Sequence, residues 1–194
     1  MLVIFDCDGV LVDSEPISNR VLSEHLGELG LSLTVEETMA EFMGRDGRHF
    51  ERRAAELLGR PLPASFDADH DGRRRAAFQR DLRAVEGIEA ALDEIAAPTC
   101  VASSSGHATL RLTLGLTGLW ERFQGRIYSA ADVAAGKPAP DLFEHAARCE
   151  GFAPADCVVV EDSPAGVQAA RAAGMRVLHY GQEFADMRDL PALL

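Results

Sequence analysis

Phe5-Asp6-Cys7-Asp8-Gly9-Val10-Leu11-Val12-Asp13-Ser14-Glu15 follows directly on the apolar run Leu2–Phe5. Asp6 and Asp8 are two positions apart, so they start on the same side of an extended backbone. Gly9 lets the chain turn sharply. Two carboxylates at the mouth of a buried strand repel each other and are costly to bury. A turn rich in Asp and Gly explains Gly9, but not two acids placed immediately after a core strand. A cation reconciles them. Oxygen ligands suit Mg²⁺, which favours few carboxylates together with water and a phosphate.

Further short apolar runs recur outward from this point, at residues 99–102, 127–128, 158–160 and 175–180. Helical patterns lie between them. Strands that are apolar on both faces and alternate with helices read as a parallel sheet covered by helices. The fold class is therefore α/β. In such sheets the site lies beyond the carboxyl ends of the strands, so the residues just after each run matter most.

Residues 14–83 are different, because they lack strand runs. Ser14 can cap a helix with Pro16 in its first turn. Ile17, Val21, Leu22, Leu26 and Leu29 then form one apolar stripe, and Gly30 marks a stop. Thr34 and Glu37 have the spacing of a capping box. Further helices fit 47–58 and 65–83. The expected organisation is a sheet domain of residues 1–13 and 84–194, interrupted by a small all-helical domain of residues 14–83.

The chain has 194 residues, enough for one domain with an insertion. Its net charge is −12. That argues against nucleic acid and against an anionic membrane surface as partners. No apolar run approaches the ~18 residues of a membrane span. The start Met1–Phe5 carries no basic leader, so a cytoplasmic location is expected. Cys7, Cys100, Cys149 and Cys157 show no paired spacing and are expected to be reduced and buried. The basic residues are 18 arginines and a single lysine, Lys137. A site that keeps lysine in so arginine-rich a chain is one where a compact ammonium is needed and a planar guanidinium does not fit.

Acids also follow the run at 158–160, as Glu161-Asp162, before Ser163-Pro164 and Gly166. They can complete a metal site; Ser163 or Asp162 can also cap the next helix. The run at 99–102 leads into Ser103-Ser104-Ser105-Gly106, a set of hydroxyls and backbone N–H groups at a helix start, which can seat an anion. Lys137 lies in Gly136-Lys137-Pro138-Ala139-Pro140-Asp141, where an ammonium could hold a phosphate and a carboxylate together.

These four pieces, in this order, resemble the haloacid dehalogenase superfamily of phosphotransferases, in its phosphatase and β-phosphoglucomutase-like branch. The resemblance spans nearly the whole chain. It implies a Rossmann-like, doubly wound core with a small helical cap between the first motif and the second strand. It implies Asp6 as nucleophile, Asp8 as general acid/base, Ser103 and Ser104 on the phosphoryl oxygens, and Lys137 bridging Asp6 and the phosphoryl group. Mg²⁺ would be held by the Asp6 carboxylate, the Asp8 backbone carbonyl and Asp162, with Glu161 in or near that set. The cap would close over the site, and Glu15, Gly44, Arg45, Arg48 and His107 are the substrate-binding candidates.

Asp8 favours phosphoryl transfer, because a halide leaving group needs no proton. The expected activity is a Mg²⁺-dependent phosphatase for a small phosphate monoester, a sugar phosphate by preference. A phosphosugar mutase and a non-catalytic binding protein on the same fold are the alternatives. The mutase branch carries a histidine where this chain has Ser18. The expected partner is a small phosphorylated metabolite, and the expected assembly a monomer or weak dimer. The end of the chain departs from its relatives. Gly181–Phe184 runs almost directly into Asp186–Leu190, which puts the number of strands at that edge in doubt.

Overall fold

The computed structural model describes residues 1–42 and 47–194; of Gly47 and Arg48 only the backbone belongs to the description. Gly44, Arg45 and the Arg48 side chain, three of the substrate-binding candidates, lie outside it. The described residues form two compact units, Met1–Asp13 with Arg83–Leu194, and Ser14–Leu82.

Among the described residues of the first unit, five strands form one parallel sheet. They are β1 (Leu2–Phe5), β2 (Thr99–Ser103), β3 (Ile127–Ser129), β4 (Cys157–Glu161) and β5 (Arg176–His179), in the order β3-β2-β1-β4-β5. Sequential strands run outward from β1 in both directions, so the order reverses at β1, and the loop after β1 lies at that reversal. The doubt about the C-terminal edge resolves simply. β5 ends the sheet, and Tyr180 makes only an isolated bridge to Phe184. A 3₁₀ turn at Met187–Asp189 follows, with Met187 and Leu190 fully buried. The apolar run expected at 175–180 is one residue shorter at each end, because Met175 is buried in the turn before the strand.

The helical unit contains α1 (Glu15–Glu28), α2 (Val35–Phe42), α3 (Gly47–Leu58) and α4 (Phe66–Asp81). Its core gathers Leu26, Phe42, Ala54 and Phe66, with Leu22, Leu29 and Phe50 packed against them. The α1 stripe is therefore the face this unit buries, as the spacing requires. The capping box before α2 is formed. The Glu37 carboxylate accepts from the Thr34 amide at 2.8 Å, and the Glu37 amide donates to Thr34 Oγ1 at 3.1 Å. Ser14 is a correction. It precedes α1 with its backbone already helical, and its side chain makes no cap hydrogen bond, so Pro16 alone marks that start.

Helices α5 (Ile88–Glu94), α6 (His107–Leu116), α7 (Trp120–Phe123), α8 (Asp141–Glu150), α9 (Pro164–Ala172) and α10 (Leu190–Leu193) complete the first unit. Strand alternation decides which face meets what. Leu2, Ile4 and Val159 join Leu142, Phe143, Ala146 and Ala170 from α8 and α9 in one core. Phe5 points the other way, edge-on to Phe123 at 6.2 Å between ring centroids. Each such side chain contributes about 1.5–3 kcal/mol on burial, so the central strands are apolar on both faces and only their ends carry polar groups. All four cysteines are free. Cys7, Cys100 and Cys157 are buried, but Cys149 is exposed, against expectation, because it lies on the outer face of α8 beside His145. No helix among the described residues is long and apolar enough to cross a membrane.

The loop after β1 is tied to the segment that precedes α5. Val12 bridges Ala84, the Asp13 amide donates to the Arg83 carbonyl at 3.0 Å, and the Val85 amide donates to the Leu11 carbonyl at 3.0 Å.

Candidate active site

Register places the polar residues side by side. Phe5 is level with Val160 and with Val101. Asp6, the next residue, therefore emerges beside Glu161, and its amide donates to the Val160 carbonyl at 3.0 Å. Ser103 ends β2 level with Ser129. Gly9, at φ 81°, reverses the chain, and the Gly9 amide donates to the Val12 carbonyl at 2.9 Å. A side chain at Gly9 would be strained and would also collide with Asp162, since a Cβ there would lie 2.0 Å from Asp162 Oδ2.

Lys137 is the hinge of the site's charge. Its Nζ donates to Asp6 Oδ1 and to Glu161 Oε2, each at 2.7 Å. The lysine side chain is only 4% exposed and lies over the Phe143 ring at 4.9 Å. A point-like ammonium with three donors can serve two carboxylates in different directions and still offer a third hydrogen, which a planar guanidinium cannot do in this space. Glu161 is fully buried and fully engaged. Its Oε1 accepts from the amides of Asp162 (3.1 Å) and Ser163 (3.0 Å) and from Ser163 Oγ (3.0 Å). Ser163 is in turn the cap of α9, accepting from the Gly166 amide at 3.0 Å. The cap is thus Ser163 and not Asp162. His179 Nε2 donates to the Asp162 carbonyl at 3.0 Å and fixes that loop from β5.

Burial pushes the Asp6 carboxyl up to about 7, while Lys137 pulls it back and Glu161 and Asp8 push it further up. Lys137 is held above its ordinary value; burial opposes its charge, but the two carboxylates outweigh that. Glu161 is held low; burial opposes this too, and Lys137 and the Ser163 donors prevail. One buried ammonium thus faces two acids, Asp6 and Glu161, and Asp8 adds its charge to that of Glu161 at Asp6. The Asp6, Glu161 and Asp162 carboxylates offer oxygens within 4.8 Å of one another, an all-oxygen donor set of the kind that suits Mg²⁺.

The second-strand loop closes the other side. Ser103 is buried, and its Oγ accepts from the Ser105 amide at 3.0 Å. The Ser105 hydroxyl donates to Asp8 Oδ2 at 2.7 Å. Ser104 is exposed. The structure brings together Asp6, Asp8, Ser103, Lys137, Glu161 and Asp162 from four separate stretches of chain. His107, at the start of α6, is exposed and engaged with Asp132 at 2.8 Å. Glu15 belongs to the helical unit, where it opens α1.

Sequence reasoning missed three contributors. Ser105 was one of three consecutive serines, and only the loop's path selects it. Gly166 stood in the quoted motif without a role; a Cβ there would lie 1.7 Å from Glu161 Oε2. Nothing in the sequence distinguished His179 from the other histidines.

Comparison with known proteins gives one consistent result. The model of a family described as haloacid dehalogenase-like hydrolase matches residues 1–174. The 6-phosphogluconate phosphatase of Escherichia coli is 34% identical over 180 residues, covering 92% of this chain and 81% of that one. The fructose-1-phosphate phosphatase of the same organism is 32% identical over 180 residues, covering 89% of this chain and 92% of that one. A haloacid dehalogenase-like protein of unknown function from Agrobacterium tumefaciens superposes with a TM-score of 0.89 at 37% identity, covering 99% of this chain and 96% of that one.

Proposed function

Because the chain belongs to the haloacid dehalogenase-like hydrolases and is a phosphoric monoester hydrolase, we propose that it hydrolyses a small sugar phosphate with Mg²⁺, through an aspartyl-phosphate on Asp6. The observation that carries this reading is the Lys137 bridge between Asp6 and Glu161 at the carboxyl ends of the central strands. The sugar-phosphate class is supported by the relatives' activities.

Asp6 is the nucleophile. Its carboxylate attacks phosphorus, the ester P–O bond breaks, and the electron pair stays on the leaving oxygen. Asp8 gives that oxygen a proton. In the second half-reaction Asp8 takes a proton from water as the water oxygen attacks the phosphorus. Inorganic phosphate leaves and the Asp6 carboxylate returns. General acid–base help of this kind contributes roughly 10²–10⁴ in rate. Lys137 offsets the repulsion between Asp6 and the phosphate, and Ser103 holds a phosphoryl oxygen. Asp6 and Asp162, with the Asp8 carbonyl, would hold Mg²⁺; Glu161, with both oxygens already hydrogen-bonded, orients Lys137 and the Asp162 loop from behind. When bound, the ion supplies charge neutralisation and polarises the phosphoryl oxygens. We read the helical unit Ser14–Leu82 as the cap that the family resemblance implies.

The test is phosphate release from a panel of sugar phosphates and p-nitrophenyl phosphate, with Mg²⁺ or with chelator. Release is expected to need Mg²⁺ and to vanish in a folded Asp6→Asn variant. Release that survives Asp6→Asn would remove the nucleophile from this scheme.

A further inference from the structure

The Ser105 hydroxyl, on the second-strand loop, reaches Asp8 Oδ2 at 2.7 Å across 97 positions of sequence. Its neighbours are placed differently. Ser103 Oγ accepts the Ser105 amide, and Ser104 is exposed. The backbone that carries Ser105 is held on both sides of its side chain. Its amide donates to Ser103 Oγ at 3.0 Å, and its carbonyl accepts from Ser129 Oγ at 2.8 Å. Ser129 is fully buried at the end of β3, level with Ser103. It is itself fixed by a capping box, with its amide donating to Asp132 Oδ2 at 2.8 Å and its Oγ accepting from the Ala131 amide at 3.1 Å. The hydroxyl therefore comes from a frame anchored on two strands.

We propose that Ser105 is a positioning residue for Asp8, holding its carboxyl so that Oδ1 is the oxygen that gives and takes the proton. The inference rests on the phosphatase reading. A serine hydroxyl has one proton to donate. Donated to Oδ2, it fixes the plane of the carboxyl group and takes up one oxygen, so the acidic proton of Asp8 resides on the other. Without it, Oδ2 loses that donor, and the proton is shared between two oxygens of which one is misdirected.

The leaving group supplies the test. A sugar hydroxylate is a poor leaving group and needs the Asp8 proton; nitrophenolate leaves without one. The Mg²⁺-loaded full chain is assayed as wild type, Ser105→Ala and Ser105→Thr, on the best sugar phosphate of the panel and on p-nitrophenyl phosphate. The readout is the ratio of the two kcat/KM values. This ratio does not depend on the fraction of enzyme that is folded. Ser105→Ala is expected to lower the ratio about tenfold, a part of the range general acid help spans, and Ser105→Thr to restore most of it. A ratio unchanged in Ser105→Ala, whatever the fall in absolute rates, overturns the inference. A wild type that hydrolyses neither ester overturns the phosphatase reading itself, and this proposal with it.

Discussion

At the scale of single residues, the site depends on atoms that are absent as much as on atoms present. Gly166 has no Cβ, and the space goes to the Glu161 carboxylate. Gly166→Ala should therefore displace Glu161, unseat Lys137 and lower kcat/KM by roughly 10²–10³, the loss typical of one misplaced electrostatic group. Overpacking should also cost about 1–3 kcal/mol in denaturant unfolding. Lys137→Arg tests the other side of the same contact. With its side chain 4% exposed and two carboxylates at 2.7 Å, the position should not accept a guanidinium, and kcat should fall by on the order of 10² while circular dichroism stays unchanged. The lysine was legible as the sole survivor among arginines, and so were the acids that follow the strands. Ser105 was not, since which of three serines reaches Asp8 is set by a contact between distant segments and leaves no local trace.

At the scale of elements, the helical unit holds a stack that its sequence did not disclose. His25, Phe66 and His70 form a triangle of near-parallel rings, with centroids 4.5 Å (His25–Phe66), 5.7 Å (Phe66–His70) and 5.8 Å (His25–His70) apart, and Nδ1 of each histidine is buried without a hydrogen bond. Burial pushes His70 down to about 4, with Arg74 and His25 adding to the shift and Asp71 and Asp67 opposing it. His25 is also lowered, first by burial and then by Arg73, against Glu28 and Asp69. Unfolded histidine titrates near about 6.5, so between there and about 4 the unfolded chain binds more protons than the folded one, and stability falls as pH falls. The raised Asp6 carboxyl works the other way over the same range, so the stack is read in urea unfolding of the full chain as a loss of midpoint relative to a His70 variant between pH 7 and 5. His70→Phe keeps the ring and should lack that loss; the same pH course in the variant and the wild type would exclude the stack as its cause. Periodicity revealed which face α1 buries, because burial repeats every turn. It could not reveal which polar residues join that face, because that depends on what α4 brings opposite.

At the scale of the whole molecule, charge is divided by use. The stretch 14–83 has 11 of the 18 arginines and 13 acidic residues, a balance near −2, which leaves the rest near −10. Several of those arginines make exposed ion pairs within the helical unit, Arg73 with Glu28 and Arg53 with Glu41, each worth little alone. In the sheet unit Asp6, Asp8, Glu161 and Asp162 stand at the ends of β1 and β4, and the lone lysine bridges Asp6 and Glu161. The alternation of runs and helices made the sheet legible, while the strand order needed the register itself. The two ends of the helical insertion leave the sheet unit side by side, with Asp13 hydrogen-bonded to Arg83 and Val12 bridged to Ala84. Chain enters and returns through one neck, so the insertion can lengthen, drift or be exchanged for another without re-registering a single strand. Selection can thus rework the insertion while the residues at the strand ends stay as they are, and a graft between relatives has a natural pair of cut points at that neck.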